Sequence, residues 1–351
     1  MPGNGIYRAI TPVLALILAG CNPFSEAGPM MDEYVERLAR VLEAPPQFSE
    51  IDSANQLPRR RDRVLTVPEL DMGMLDFLSL YGCELQYVVG EKNSVMGRVM
   101  QPLNRLRYEV RFIEAARECL PEIEDEDFSD ELEEAIESKL ESLPIAIWNA
   151  TWGVEEIEKL FTLAKGYYPV AAEGNPVSDL AVDIDRLNAA VARLRADDLT
   201  VSLEFAGSVH QRWQAEYRAG QLINSALLLT ARLQDGTRLL MQRIEGRPLC
   251  LNGQPNNQSD IVQNMFFSVY IEKIQPYMSS VRQARTALIE PFEHLARIQT
   301  DVMPERFADW YQRHLSQDAP KGLWQELDAA MMEHTRAWQE LLGQCGMRPG
   351  D

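Results

Sequence analysis

Basic residues are scarce in this chain. Its 351 residues hold 34 Lys+Arg against 53 Asp+Glu, for a formal net charge of -19. Nucleic-acid phosphates need cations to neutralise them, so nucleic acid is a poor partner for this composition. Histidine is rarer still, at four residues, and no two of them stand three or four apart. That removes the helical His pair of a zinc site, and the lack of any C-x-x-C removes metal fingers and thioredoxin-type redox centres. Also missing are a Walker A loop, G-x-G-x-x-G, G-x-S-x-G, H-E-x-x-H and S-x-x-K, so no cofactor and no catalytic set is implied. No apolar run reaches the ~20 residues that a bilayer crossing needs. With 46% hydrophobic and 25% charged residues, the composition is globular and excludes disorder, collagen and a multi-span membrane protein.

The N-terminus carries the sharpest positive signal. Residues 1–9 hold one charge, Arg8, and residues 10–18 form an apolar run interrupted by Thr11-Pro12. This suits the apolar segment of a secretory signal. It ends in Leu18-Ala19-Gly20-Cys21, which looks like a bacterial lipobox: a branched apolar residue, two small residues, then the thiol that is acylated. The expectation is a signal peptide over 1–20, a palmitate-type anchor on Cys21, a tether over 21–30 and a folded body over 31–351. Asn22, in place of the Asp that favours inner-membrane retention, points to the outer membrane with the body facing the periplasm. The periplasmic face of the inner membrane is the alternative. More than one acyl chain makes such anchoring stable.

Cysteine usage agrees with export. Beyond Cys21 there remain Cys83, Cys119, Cys250 and Cys345, which allow three pairings. Cys83–Cys119 with Cys250–Cys345 is preferred because each pair falls within one half of the chain. Four reduced, buried thiols are the other reading.

The periodicity is helical nearly throughout, with stretches over 68–82 and 152–165 among them, which predicts an all-α, irregular multi-helix bundle of nine to twelve helices. Leu180, Ile184, Leu187, Val191 and Leu194 make a heptad-like seam. Residues 122–141 hold eleven acidic residues. They lack the turn glycine and alternate-position spacing of a calcium loop, and read as the wet face of an amphipathic helix. Two prolines and two glycines within 166–176 mark a boundary between possible lobes 31–168 and 176–345. Residues 199–205 alternate like a strand, allowing at most a small hairpin, and Asp235-Gly236 reads as a helix stop. Pro276 and Pro291 predict kinks or breaks in a long helix that ends near Ile298.

Candidate sites are few. His210, Trp213, Tyr217 and Tyr277 could line a ligand pocket between helices, although a hydrogen-bonded interior histidine and a proline-bent packed helix are the plainer readings. Glu290 and His294 share a helix face and could hold a metal or a proton, or be a simple surface pair. Trp310, Trp324 and Trp338, fourteen apart, suit sugar stacking if exposed and core if not. The Arg59-Arg60-Arg61-Asp62-Arg63 run is either a solvated loop or a contact to lipid phosphates or an acidic partner surface.

Three segments carry a resemblance. They are Tyr34-x-x-Arg37-Leu38-Ala39-Arg40-Val41-Leu42, Cys250-Leu251-Asn252-Gly253, and Met265-Phe266 leading to Tyr270-Ile271-Glu272-Lys273-Ile274-Gln275-Pro276-Tyr277-Met278. Together they resemble an uncharacterised proteobacterial lipoprotein family, domain of unknown function 3080. The resemblance implies an envelope lipoprotein and transfers no functional residue. The functional expectation is a non-enzymatic helical interaction or scaffold module with an envelope protein partner and a membrane anchor. A periplasmic small-molecule or glycan binder is the second reading, and a hydrolase whose carboxylates converge only in three dimensions the third.

Overall fold

In this computed structural model, residues 26–68, 80, 82–93, 100–170 and 174–347 are described. The signal segment, Cys21 and most of the helical stretch expected over 68–82 lie outside them. Among the described residues there are twelve helices and no strand. They are α1 (Ala27–Val41), α2 (Arg60–Arg63), α3 (Glu84–Asn93), α4 (Pro102–Cys119), α5 (Glu126–Thr151), α6 (Glu156–Leu160), α7 (Ser178–Arg195), α8 (Ala206–Ala215), α9 (Arg218–Glu245), α10 (residues 257–297), α11 (Glu305–His314) and α12 (Leu323–Gly343). The all-α bundle expected from the periodicity is the architecture found.

α9 is the axis of the bundle. Its apolar residues recur on nearly every side, from Leu222 and Ile223 to Leu239 and Leu240, as a helix enclosed by neighbours requires. It packs along α12, α1 and the middle of α10. The expected stop at Asp235-Gly236 does not occur, and α9 runs through both residues. Gly236 is there because α12 comes close: an added Cβ would lie 2.8 Å from His334 Cε1. Asp235 is buried but fully used. It accepts from the Ser49 amide at 3.1 Å and the Ser49 hydroxyl at 2.6 Å, and pairs with Arg232 and Arg238. These bonds tie the extended strap 44–59 across the bundle.

The strap explains the arginine run. Arg63 is buried, donating to the carbonyls of Trp152 and Pro58 and pairing with Glu158 at 2.5 Å. Arg60 pairs with Glu155, and Asp62 with Arg306. Arg60 and Arg63 thus clamp the segment after α5, Asp62 reaches α11, and Arg59 and Arg61 are left exposed.

α10 settles the proline question. It continues for 41 residues, and each proline follows a widened turn: Phe266–Ile274 and Arg285–Ile289 are π-helical, and Pro276 and Pro291 open the α-helical segments Gln275–Ala284 and Glu290–Arg297. Proline lacks an N–H and its ring crowds the carbonyl one turn back, and the wider turn relieves that contact without ending the helix. Pro102 sits in the first turn of α4, where its missing donor costs nothing.

Other expectations needed correction. Residues 199–205 form turns between α7 and α8, with Leu199 and Leu203 buried, and no strand occurs among the described residues to pair with them. The helix expected over 152–165 shrinks to α6 and a 3₁₀ turn. The helix starts at Ala27 with Ala27 and Met30 buried, so residues 27–30 belong to the body rather than the tether. Residues on both sides of 166–176 share one hydrophobic core. Two disulfides pin the chain: Cys83–Cys119, with Cα atoms 5.6 Å apart, and Cys250–Cys345, at 5.2 Å.

Candidate functional site: a groove between α10 and α12

α10 and α12 both lean on α9, and between them opens a groove of about 790 Å³. Cross-links bound it. Tyr270 Oη and Thr335 Oγ1 meet at 3.3 Å, and Arg285 Nη1 reaches both Asp328 oxygens at 2.9 Å. Residue 270 faces 335 while 285 faces 328, so the walls run antiparallel. Met278, Met331 and Met332 give the groove soft, adaptable apolar surface. Gln275, Ser279 and Gln339 add hydrogen-bonding groups.

Its electrostatics differ from those of the chain as a whole. Arg282, Arg285 and Arg336 all line it. Arg285 is held firmly: Nε donates to Gln317 at 2.7 Å and the guanidinium lies 5.1 Å from the Trp324 ring. Arg282 and Arg336 are exposed and have no ion-pair partner among the described residues. The carboxylates present are already engaged, Asp328 by Arg285 and Glu290 by the Thr286 hydroxyl at 2.9 Å.

Beneath the groove, α12 carries a sealed network. Trp338 Nε1 donates to Tyr34 Oη at 2.9 Å, and Tyr34 Oη lies 2.6 Å from His334 Nε2. His334 Nδ1 is 3.0 Å from Thr237 Oγ1, whose hydroxyl donates to the Leu233 carbonyl. One assignment satisfies every member: Tyr34 donates to Nε2, and the Nδ1 proton goes to Thr237. Burial drives the His334 pKa down to about 3 and holds the Tyr34 hydroxyl well above its usual range. Both stay neutral, which suits structure and not proton transfer at neutral pH.

The residues singled out from sequence do not meet in one pocket. His210 and Trp213 are buried on α8 with ring centroids 5.3 Å apart, and Trp213 packs on Phe292 at 5.4 Å. Burial lowers the His210 pKa. Tyr277 is fully buried and donates to Ser225 Oγ at 2.8 Å, not to a freed carbonyl of its own helix. Tyr217 is half-buried, 5.2 Å from the Arg218 guanidinium. None of these four lines the groove. Trp310, Trp324 and Trp338 are core residues whose indole N–H groups are spent on Asn55, His314 and Tyr34, so no sugar-stacking row exists. His294 Nδ1 faces Arg297 at 3.1 Å, while Glu290 accepts from Thr286 in the groove. Among the described residues, no group of three or more His, Cys, Asp or Glu is placed to hold a metal ion. No helix among them is long and apolar enough to cross a membrane. Sequence reasoning missed the groove arginines, whose only signal was three cations on two separate helical faces.

Residues 31–349 match the family described as protein of unknown function (DUF3080). The chain belongs to that family. The match spans both walls of the groove and the sealed network beneath it. No curated protein and no solved structure matches the chain.

Proposed function

We propose that this protein is a lipid-anchored envelope protein, held at the outer membrane and facing the periplasm, whose α10–α12 groove holds a protein partner. The anchor rests on Leu18-Ala19-Gly20-Cys21 behind an apolar leader. With α1 beginning at Ala27, only residues 22–26 separate an acylated Cys21 from the body. Such a tether spans at most ~18 Å, so the body stands close to its membrane.

The observation that carries binding over catalysis is the state of the groove's charged groups. Arg282 and Arg336 have no ion pair among the described residues, while Asp328 is held by Arg285 and Glu290 accepts from the Thr286 hydroxyl, a lone contact with no third group to orient it as a catalytic pair. Paired acids flanking a reactive centre, which hydrolysis of a glycosidic bond demands, are not what it presents. An open channel walled by two helices suits a chain segment better than an enclosed small molecule.

Photocrosslinking in intact cells tests this. A photoreactive residue at Ser279, in the groove, should give one discrete protein adduct from the lipidated protein. The same residue at Val182, 68% exposed on α7, should not. Equal labelling from both positions, or none from Ser279, overturns the reading.

A further inference from the structure

We infer that the α10–α12 groove recognises an acidic segment of its partner, with Arg336, Arg282 and Arg285 pairing with carboxylates spaced along that segment. The inference rests on the groove being the partner-binding surface and adds the chemistry that the partner must present.

Placement carries the argument. Arg336 follows Thr335, at the end closed by the Tyr270 cross-link. Arg285 forms the opposite cross-link, to Asp328, and Arg282 lies about one helical turn before it. On α12, where Arg285 is held at Asp328 and Arg336 follows Thr335, the two cross-links are seven residues apart, which at 1.5 Å per residue is roughly 10 Å of helix. The cationic attachment points are therefore strung along the groove and not gathered at one spot. An extended segment of about three residues has the same reach.

Charge balance points the same way. The whole chain is strongly acidic, at -19, and so disfavours an acidic ligand almost anywhere else on its surface. Within the groove, Asp328 and Glu290 are the facing carboxylates, and both are already bonded to groove residues. Arg282 and Arg336 are left with no ion pair among the described residues, and guanidinium matches carboxylate bidentately. Arg285 is already oriented by Gln317, Asp328 and the Trp324 ring, so little side-chain freedom is lost on engagement. The methionines between these cations take up whatever apolar side chains alternate with the acids.

The test is titration of the purified full-length protein with a terminally blocked oligoglutamate peptide, beside the matching oligoglutamine peptide and inorganic phosphate. Oligoglutamate should bind saturably and weaken as salt rises, and oligoglutamine should not bind. The double variant Arg282→Ala/Arg336→Ala should bind about tenfold more weakly or worse. Arg59→Ala/Arg61→Ala, which removes two exposed cations elsewhere, should bind as the parent does. Circular dichroism and the unfolding midpoint of each variant should match the parent, since all four residues are exposed. Failure of oligoglutamate to bind, equal binding by the groove variant, or displacement of the peptide by an equal concentration of phosphate overturns the inference. These results are independent of the anchor and of crosslinking in cells. An acidic ligand that binds while Ser279 captures nothing would leave the groove chemistry standing and remove the proposed role.

Discussion

α12 presents two polar faces that behave in opposite ways. The face holding His334 and Trp338 is buried, and each hydrogen-bonding atom of the Trp338–Tyr34–His334–Thr237 chain has a partner. The face holding Met332, Arg336 and Gln339 is open, and Arg336 has no ion pair among the described residues. A single residue, Thr335, separates His334 from Arg336. A buried polar group left unpaired costs about 1–3 kcal/mol, so the inner face had to be completed within the fold. Water satisfies the outer face, and its cations are left free for a ligand. Stability is thus expected to answer to one face and binding to the other.

The largest effect should come from breaking the inner face. His334→Ala removes the acceptor for Tyr34 and the donor to Thr237 and leaves a void in the core, at a cost of about 3–4 kcal/mol in urea unfolding. Acid next attacks two buried histidines, His334 on this face and His314 on α11. Burial holds the His334 pKa at about 3 and, with the nearby charge of Arg313, the His314 pKa at about 4. The unfolded chain takes up these protons near pH 6.5, well before the folded one. Stability is therefore fully present above pH 6.5 and is lost as pH falls from there towards 4 for His314 and towards 3 for His334. At pH 5 the loss should be of order 1–2 kcal/mol per histidine. A urea midpoint that stays flat between pH 7 and pH 5 would contradict it.

Gly236→Ala sharpens the comparison from the α9 side. The new methyl presses on the His334 ring and should cost about 1–2 kcal/mol, although alanine is the better helix former. On the outer face, Arg282→Ala/Arg336→Ala should change stability by less than about 0.5 kcal/mol. A stability loss there as large as that of Gly236→Ala would mean that the two faces are not separable.

The sequence made the helices legible wherever one face is apolar. The α7 seam at Leu180, Ile184, Leu187, Val191 and Leu194 is buried throughout. It misled at Asp235-Gly236 because one residue type serves two purposes: glycine ends helices, and it also admits a close neighbour. The prolines of α10 marked the disturbed turns, but the widening ahead of each was invisible, since a few residues do not separate a π from an α period. The tryptophans looked alike on paper, and only packing decided that all three of 310, 324 and 338 are interior. The groove was the least legible feature. It exists because α10 and α12 lean on a common neighbour, and nothing local to Arg282 or Arg336 says that they share a space.

The two loosened stretches of α10 also bear on how this helix tolerates a change in its own length. Removing one amino acid from an ordinary α-helix rotates everything beyond the cut by about 100°. A removal inside 266–274 has another outlet, because tightening that stretch to α pitch absorbs the missing unit. Tyr277 would keep its aim at Ser225, and Phe292 its place against Trp213, while the same excision at Ala329 in α12, which has no widened turn, would swing Trp338 away from Tyr34.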